Sequence, residues 1–182
     1  TFNECVVMAA AIRQAKSHDE ELALIESQLQ DVTQIICDIY SRYLFESMVL
    51  ENREQQFMDA DTLCGMMLKA QEQSYGDGLD PGFRHPYMWI CKSHYYGATF
   101  YNFPYAFGGL FARGLYAQYQ REGAAFVPKY KKLLRTTTVA TAEDVAQVAG
   151  IDLTDKEFWR SALQTVAQQI DLVCGLLEGG NQ

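Results

Sequence analysis

Apolar side chains recur every three to four residues over most of the chain, and that recurrence predicts a succession of helices. Residues 2–16 are rich in helix formers, and Val6, Val7, Ala10 and Ile12 are spaced for one buried face, so a first helix is expected there. Asp19, Glu20 and Glu21 come after Ser17 and His18, and acids suit a helix N-terminus because they oppose the positive end of its dipole. Behind them Leu24, Ile25, Leu29, Val32, Ile35, Ile36, Ile39, Tyr40, Tyr43 and Leu44 predict one long helix reaching Asn52. Asp59 or Asp61 is the expected cap of a third helix, which runs through Leu63, Met66, Met67 and Ala70 to Tyr75-Gly76.

The stretch from Gly76 to Pro86 is dense in Gly, Asp and Pro, residues that supply positive φ or fix it near the proline value, and it predicts a loop. A short apolar segment, Tyr87 to Lys92, leads into Ser93-His94-Tyr95-Tyr96-Gly97, and an aromatic-rich stretch then runs from Phe100 to Tyr119. Pro104 fits a helix only in its first turn or at a kink, which makes Asn102 the expected cap. Phe126 to Leu134 predicts a further short helix. Two capping signatures follow: Thr141-Ala-Glu-Asp144 before a helix that Gly150 stops, and Thr154-Asp-Lys-Glu157 before one running to about Glu178. Sustained period-two alternation is missing apart from the ambiguous run Thr136 to Val139. The fold class expected is all-α, as one helical portion over residues 1–182.

Composition narrows the function. Hydrophobic residues make up 48% and charged residues 21%, the profile of a globular polypeptide. A formal net charge of -8 repels polyanions, which argues against a nucleic-acid partner. The five cysteines lack paired C-x-x-C spacing, so reduced, buried thiols are expected rather than a zinc ribbon. No run approaches the roughly 20 apolar residues of a membrane-spanning helix, and no basic segment followed by an apolar one opens the chain, so a cytoplasmic protein is expected. The chain opens with Thr1-Phe2-Asn3-Glu4, already inside an amphipathic pattern, which suggests a fragment or a processed chain.

Only three histidines, His18, His85 and His94, are present, and none belongs to an H-E-x-x-H pair that would grip zinc from one helical face. Cys91 and His94 share a face if that segment is helical, and with His85 they form an imaginable metal site; a buried thiol beside an unrelated imidazole is the favoured reading, because no fourth ligand is evident. The same pair as a cysteine nucleophile and base is no better supported, since nothing marks the thiolate as stabilised. The informative stretch is His94-Tyr-Tyr-Gly-Ala-Thr-Phe-Tyr-Asn-Phe-Pro-Tyr105-Ala-Phe-Gly-Gly109. If the part after Asn102 is helical, Tyr101 and Tyr105 lie four apart at its start while Phe103, Phe107 and Phe111 form a neighbouring apolar row. The phenols then face a cleft. Taken alone, aromatics at such spacing are more often core than site.

The segment resembles the H-[FY]-Y…F-Y-N-[FY]-P-Y-x-F-G signature of the oligoendopeptidase F family, zinc metallopeptidases like thimet oligopeptidase. Thr1-Phe2-Asn3-Glu4 looks like that family's T-F-N-E, and Tyr75-Gly76, Trp89 and Phe158-Trp159 match in position, so the likeness covers essentially the whole chain. It implies the C-terminal helical portion of the peptidase catalytic domain. In that family the H-E-x-x-H helix and the glutamate that completes the zinc site come before T-F-N-E, so the resemblance implies zinc in the full-length enzyme and none bound by this chain alone. It further implies that His94 binds the substrate backbone, that Tyr101 and Tyr105 approach the scissile carbonyl, that Gly97 lets the loop shift, and that Glu4 supports the metal without ligating it. More distant relatives carry another tyrosine where this chain has Gly108, which leaves the division of labour between Tyr101 and Tyr105 open. The partners implied are short peptide substrates and the missing N-terminal part, with self-association through apolar surface that part would cover. The alternative is an inactive helical binding or scaffold module, or one half of a split peptidase.

Overall fold

The computed structural model describes residues 1–179. In chain order the helices are α1 (Phe2–Gln14), α2 (His18–Thr33), α3 (Ile39–Asn52), α4 (Ala60–Tyr75), α5 (Met88–Cys91), α6 (His94–Gly97), α7 (Phe103–Glu122), α8 (Phe126–Thr136), α9 (Ala142–Val148) and α10 (Lys156–Gly179). No strand occurs among the described residues, so the fold is all-α. Thr136 to Val139, ambiguous in sequence, is the end of α8 and a turn. Two compact units divide the chain: Thr1–Leu29 together with Gly108–Gln182, and Gln30–Phe107.

In the first unit the core gathers Leu115 of α7, Phe126 and Leu133 of α8, Val145, Ala146 and Ala149 of α9, and Ile151. Phe126 is fully buried beneath Phe2, Tyr119 and Tyr130; burying such a side chain contributes about 1.5–3 kcal/mol. Local chemistry ends the helices where the sequence signals lie. Gly150, at φ 74°, lets its own N–H reach Gln147 and the N–H of Ile151 reach the carbonyl of Ala146, so two orphan carbonyls at the end of α9 are satisfied. Thr141 accepts from the Asp144 N–H as expected. For α10, however, the cap is Asp155, whose carboxylate accepts from the Glu157 N–H, while the Thr154 hydroxyl is turned back onto Asp152. A carboxylate outcompetes a hydroxyl for a helix N-terminus.

Gly114 of α7 faces Phe158 of α10 at close range. A Cβ there would lie 2.4 Å from the Phe158 ring, which is itself packed on the core. Ala has the better helix propensity by about 1 kcal/mol, but overpacking costs about 1–3 kcal/mol. Gly114→Ala is therefore expected to destabilise the protein by about 1 kcal/mol, and urea unfolding that shows a gain instead would contradict this packing.

The second unit packs α3 on α4 around Phe45, Met67 and Ala70, with Met88, Trp89 and Tyr95 against them. Between α2 and α3 the long helix expected from the sequence contains a single π-helical turn, Gln34–Asp38. Within it the Cys37 carbonyl accepts a hydrogen bond from the Ser74 hydroxyl of α4. Asp59 rather than Asp61 caps α4, by accepting from the Thr62 N–H at 2.9 Å.

Candidate imidazole–phenol site

The site begins on α3 and the π turn before it. Asp38, Arg42 and Glu46 follow one another at intervals of four and so share one helical face, and all three are largely withdrawn from water. Asp38 pairs with Arg42 and lies 3.9 Å from the Lys92 ammonium. Glu46, 8% exposed, has no such cation within salt-bridge distance among the described residues; its carboxylate instead accepts from the Phe100 N–H at 2.6 Å and from Asn102 Nδ2 at 2.8 Å. Phe100 has a φ of 53°, a left-handed conformation that costs a non-glycine residue about 1–2 kcal/mol. The charge-assisted bonds to Glu46 offset that strain and fix the turn that launches α7. Asn102 caps α7 through its backbone carbonyl, which accepts from the Tyr105 N–H, and not through its side chain as expected from sequence. Its amide is committed to Glu46.

This clamp delivers Tyr101 and Tyr105 to His94. The His94 and Tyr101 rings lie parallel with centroids 5.8 Å apart, and Tyr105 stands edge-on to both at 5.8 and 6.0 Å. His94 Nε2 is 3.1 Å from the Tyr105 hydroxyl. Tyr101 is 50% and Tyr105 43% exposed, so both phenols remain open to solvent and to a ligand. Chemically the cluster offers hydrogen-bond donors and flat aromatic faces. When imidazole Nε2 carries the proton it donates to the Tyr105 oxygen, and the phenolic proton is then free to donate outward.

Three of the four residues singled out in sequence, His94, Tyr101 and Tyr105, are thus brought together. Glu4 belongs to the other unit, exposed in the first turn of α1 beside the Thr1 amino group. Gly97 ends α6 and adjoins the extended residue Ala98. Cys91 and His94 do not share a helix: α5 ends at Cys91, and Lys92, at φ -105° and ψ 97°, breaks the chain's helical course before α6. The expectation of buried thiols holds for Cys5 alone; Cys37 and Cys64 are half-buried, and Cys91 and Cys174 are exposed, all five being free. His85 Nδ1 accepts from the Tyr87 N–H. Among the described residues no group of three or more His, Cys, Asp or Glu side chains is placed to hold a metal ion. No helix among them is long and apolar enough to cross a membrane. Sequence reasoning missed Glu46 and the committed role of Asn102. The signal was there in the charged residues at 38, 42 and 46, spaced by four along one helical face.

Two phenols near the Asp38–Arg42 pair add a pH dependence. Burial, and then the Asp38 charge, push Tyr75 up to about 12 from its ordinary value of 10. Burial also raises Tyr95, which packs on Phe45. The unfolded chain therefore loses these protons at lower pH than the folded one does. Their contribution is complete below pH 10 and is lost as pH climbs toward 12. Thermal melts are expected to fall steeply over this window, and Tyr95→Phe to flatten the fall while changing neutral-pH stability little, since the Tyr95 hydroxyl is buried without a partner. An equally steep fall in a Tyr75→Phe, Tyr95→Phe double variant would assign the alkaline lability elsewhere.

Compared with protein-family models, curated proteins and solved structures, the chain matches none.

Proposed function

We propose that these residues form the substrate side of a zinc-dependent metalloendopeptidase of the oligoendopeptidase F type, with His94 holding the peptide backbone and Tyr105 and Tyr101 donating to the scissile carbonyl. The observation that carries this reading is the His94–Tyr101–Tyr105 cluster itself, three side chains from α6 and the start of α7 converging with their polar atoms accessible. Hydrolysis of a peptide bond builds negative charge on the carbonyl oxygen, and a phenol fixed in advance stabilises that charge most in the transition state. Glu46 supplies the fixing: a strained turn held by a buried carboxylate is the pre-organisation such a donor needs. The zinc is assigned to no residue in this chain.

The direct test is peptide binding by this chain. Titration with a short unstructured peptide, followed by the ring resonances of His94, Tyr101 and Tyr105, is expected to move all three saturably. His94→Ala should weaken the binding by about tenfold, the worth of one hydrogen bond at a partly dried site. Ring resonances that stay in place at saturating peptide would sink the reading.

A further inference from the structure

The first unit contains a second polar feature, unrelated to the imidazole–phenol cluster. A cavity of about 210 Å³ lies between α1, α7, α10 and Gln28 of α2. Arg113 of α7 lines it and is only 6% exposed. No carboxylate lies within 4.0 Å of its guanidinium among the described residues. The Glu4 carboxylate, one residue before Cys5, is 76% exposed and pairs with the Thr1 amino group instead. The one hydrogen bond of Arg113 is a long contact of 3.7 Å from Nη1 to the sulfur of Cys5. That sulfur is no counterion, because burial pushes the Cys5 thiol up and outweighs the pull of Arg113, leaving it neutral at pH 7. A guanidinium withdrawn from water without an anion is a state that proteins avoid.

The two remaining guanidinium nitrogens decide what this charge can meet. Some unpartnered side-chain atoms of the protein are sealed from any contact, Gln169 Oε1 at the same cavity among them, but Arg113 Nε and Nη2 are not sealed, although they too make no hydrogen bond. The little surface left to Arg113 therefore includes free N–H groups, and the cavity is the space it lines. Nε and Nη2 on one edge of a guanidinium present parallel N–H bonds that match the two oxygens of a carboxylate. The rest of the wall limits what can carry that carboxylate. It holds no second cation, so one negative charge is neutralised while a phosphate dianion keeps half of its charge, and it holds no acid to receive an ammonium group. Ala9, Ile12 and Leu172 add aliphatic surface. An apolar cavity of about 150 Å³ admits benzene, so this one has room for about eight non-hydrogen atoms.

We propose that this cavity binds a short aliphatic monocarboxylate, its carboxylate on Nε and Nη2 of Arg113 and its hydrocarbon chain against Ala9, Ile12 and Leu172. The proposal stands independently of the peptidase reading, since it uses no residue of the His94 cluster and needs no turnover.

Isothermal titration calorimetry of the chain tests it. 4-Methylpentanoate is expected to bind saturably at one site. 4-Methylpentanamide, the same shape without the charge, and acetate, the same charge without the chain, are each expected to bind at least about tenfold more weakly. L-Leucine, which adds an ammonium group that no acid of the cavity meets, should be weakened at least as much, about tenfold, and inorganic phosphate should not displace 4-methylpentanoate. Saturating 4-methylpentanoate should raise the melting temperature of the wild type and leave that of Arg113→Gln where it is. Ala9→Leu fills the aliphatic end of the cavity, and it should weaken 4-methylpentanoate by at least about tenfold while sparing acetate, which keeps the test decisive even if Arg113→Gln folds poorly. No saturable heat with 4-methylpentanoate, equal binding of the amide or of leucine, full affinity in Ala9→Leu, or displacement by phosphate would each overturn the assignment.

Discussion

In a polypeptide that joins these residues to an H-E-x-x-H segment of the family pattern, Tyr105→Phe is expected to lower kcat by about a hundredfold to a thousandfold, roughly 3–4 kcal/mol of transition-state stabilisation. The ring is already placed by the first turn of α7 and by its edge contact with His94, so the substitution removes a hydroxyl and keeps the packing. A bond that strengthens as charge develops acts on kcat rather than on KM. Tyr101→Phe is expected to cost less, because Tyr101 is stacked flat on the imidazole and has no hydrogen bond to it. On the proposed role His94→Ala should raise KM and lower kcat together: it would remove a peptide contact made in both states, together with the ring nitrogen that lies 3.1 Å from the Tyr105 hydroxyl. Steady-state kinetics on a short internally quenched peptide checks all three variants. If neither phenylalanine variant lowers kcat by even about tenfold, or ~1.4 kcal/mol, the catalytic assignment of these tyrosines is withdrawn.

Glu46→Ala is expected to cost about 3 kcal/mol of stability in the second unit and to scatter the site. Two effects oppose each other. Removing the carboxylate relieves the desolvation of a buried charge, but it orphans the Phe100 N–H and the Asn102 amide, each worth about 1–3 kcal/mol when left unpaired. The left-handed conformation of Phe100 is then unopposed, and the turn relaxes toward an unstrained one. Orphaned donors and the loss of the turn outweigh the desolvation relief. Glu46→Gln should be intermediate, since its amide nitrogen faces a donor where an oxygen stood. If Glu46 acts on the site through the turn it holds, the distinguishing readout is the His94–Tyr105 ring proximity by nuclear Overhauser effects. Loss of that proximity in a still-folded Glu46→Gln protein supports a positioning role, whereas intact proximity with only a lower melting temperature assigns Glu46 to stability alone.

The sequence by itself determined the class of the fold and most of its punctuation. Periodicity over α1, α3, α4 and α10, the cap at Asp59, the stop at Gly150 and the Gly-Pro loop before α5 are local: each is set by residues within one or two helical turns, and those interactions exist whatever the rest of the chain does. The spacing of Tyr101 and Tyr105 and their nearness to His94 in the chain were legible for the same reason. What only the tertiary structure decided is the set of contacts made across long stretches of chain. Glu46 reaches Phe100 and Asn102 over 54 and 56 residues, and Arg113 reaches Cys5 over 108. Before those faces meet, Asn102 is as good a helix cap as any asparagine, and Arg113 reads as one more surface charge. The π turn at Gln34–Asp38 belongs with them, since its Cys37 carbonyl meets Ser74 only when α4 packs alongside. Local hydrogen bonds and side-chain spacing write the helices, whereas the use of a polar side chain depends on what burial sets against it.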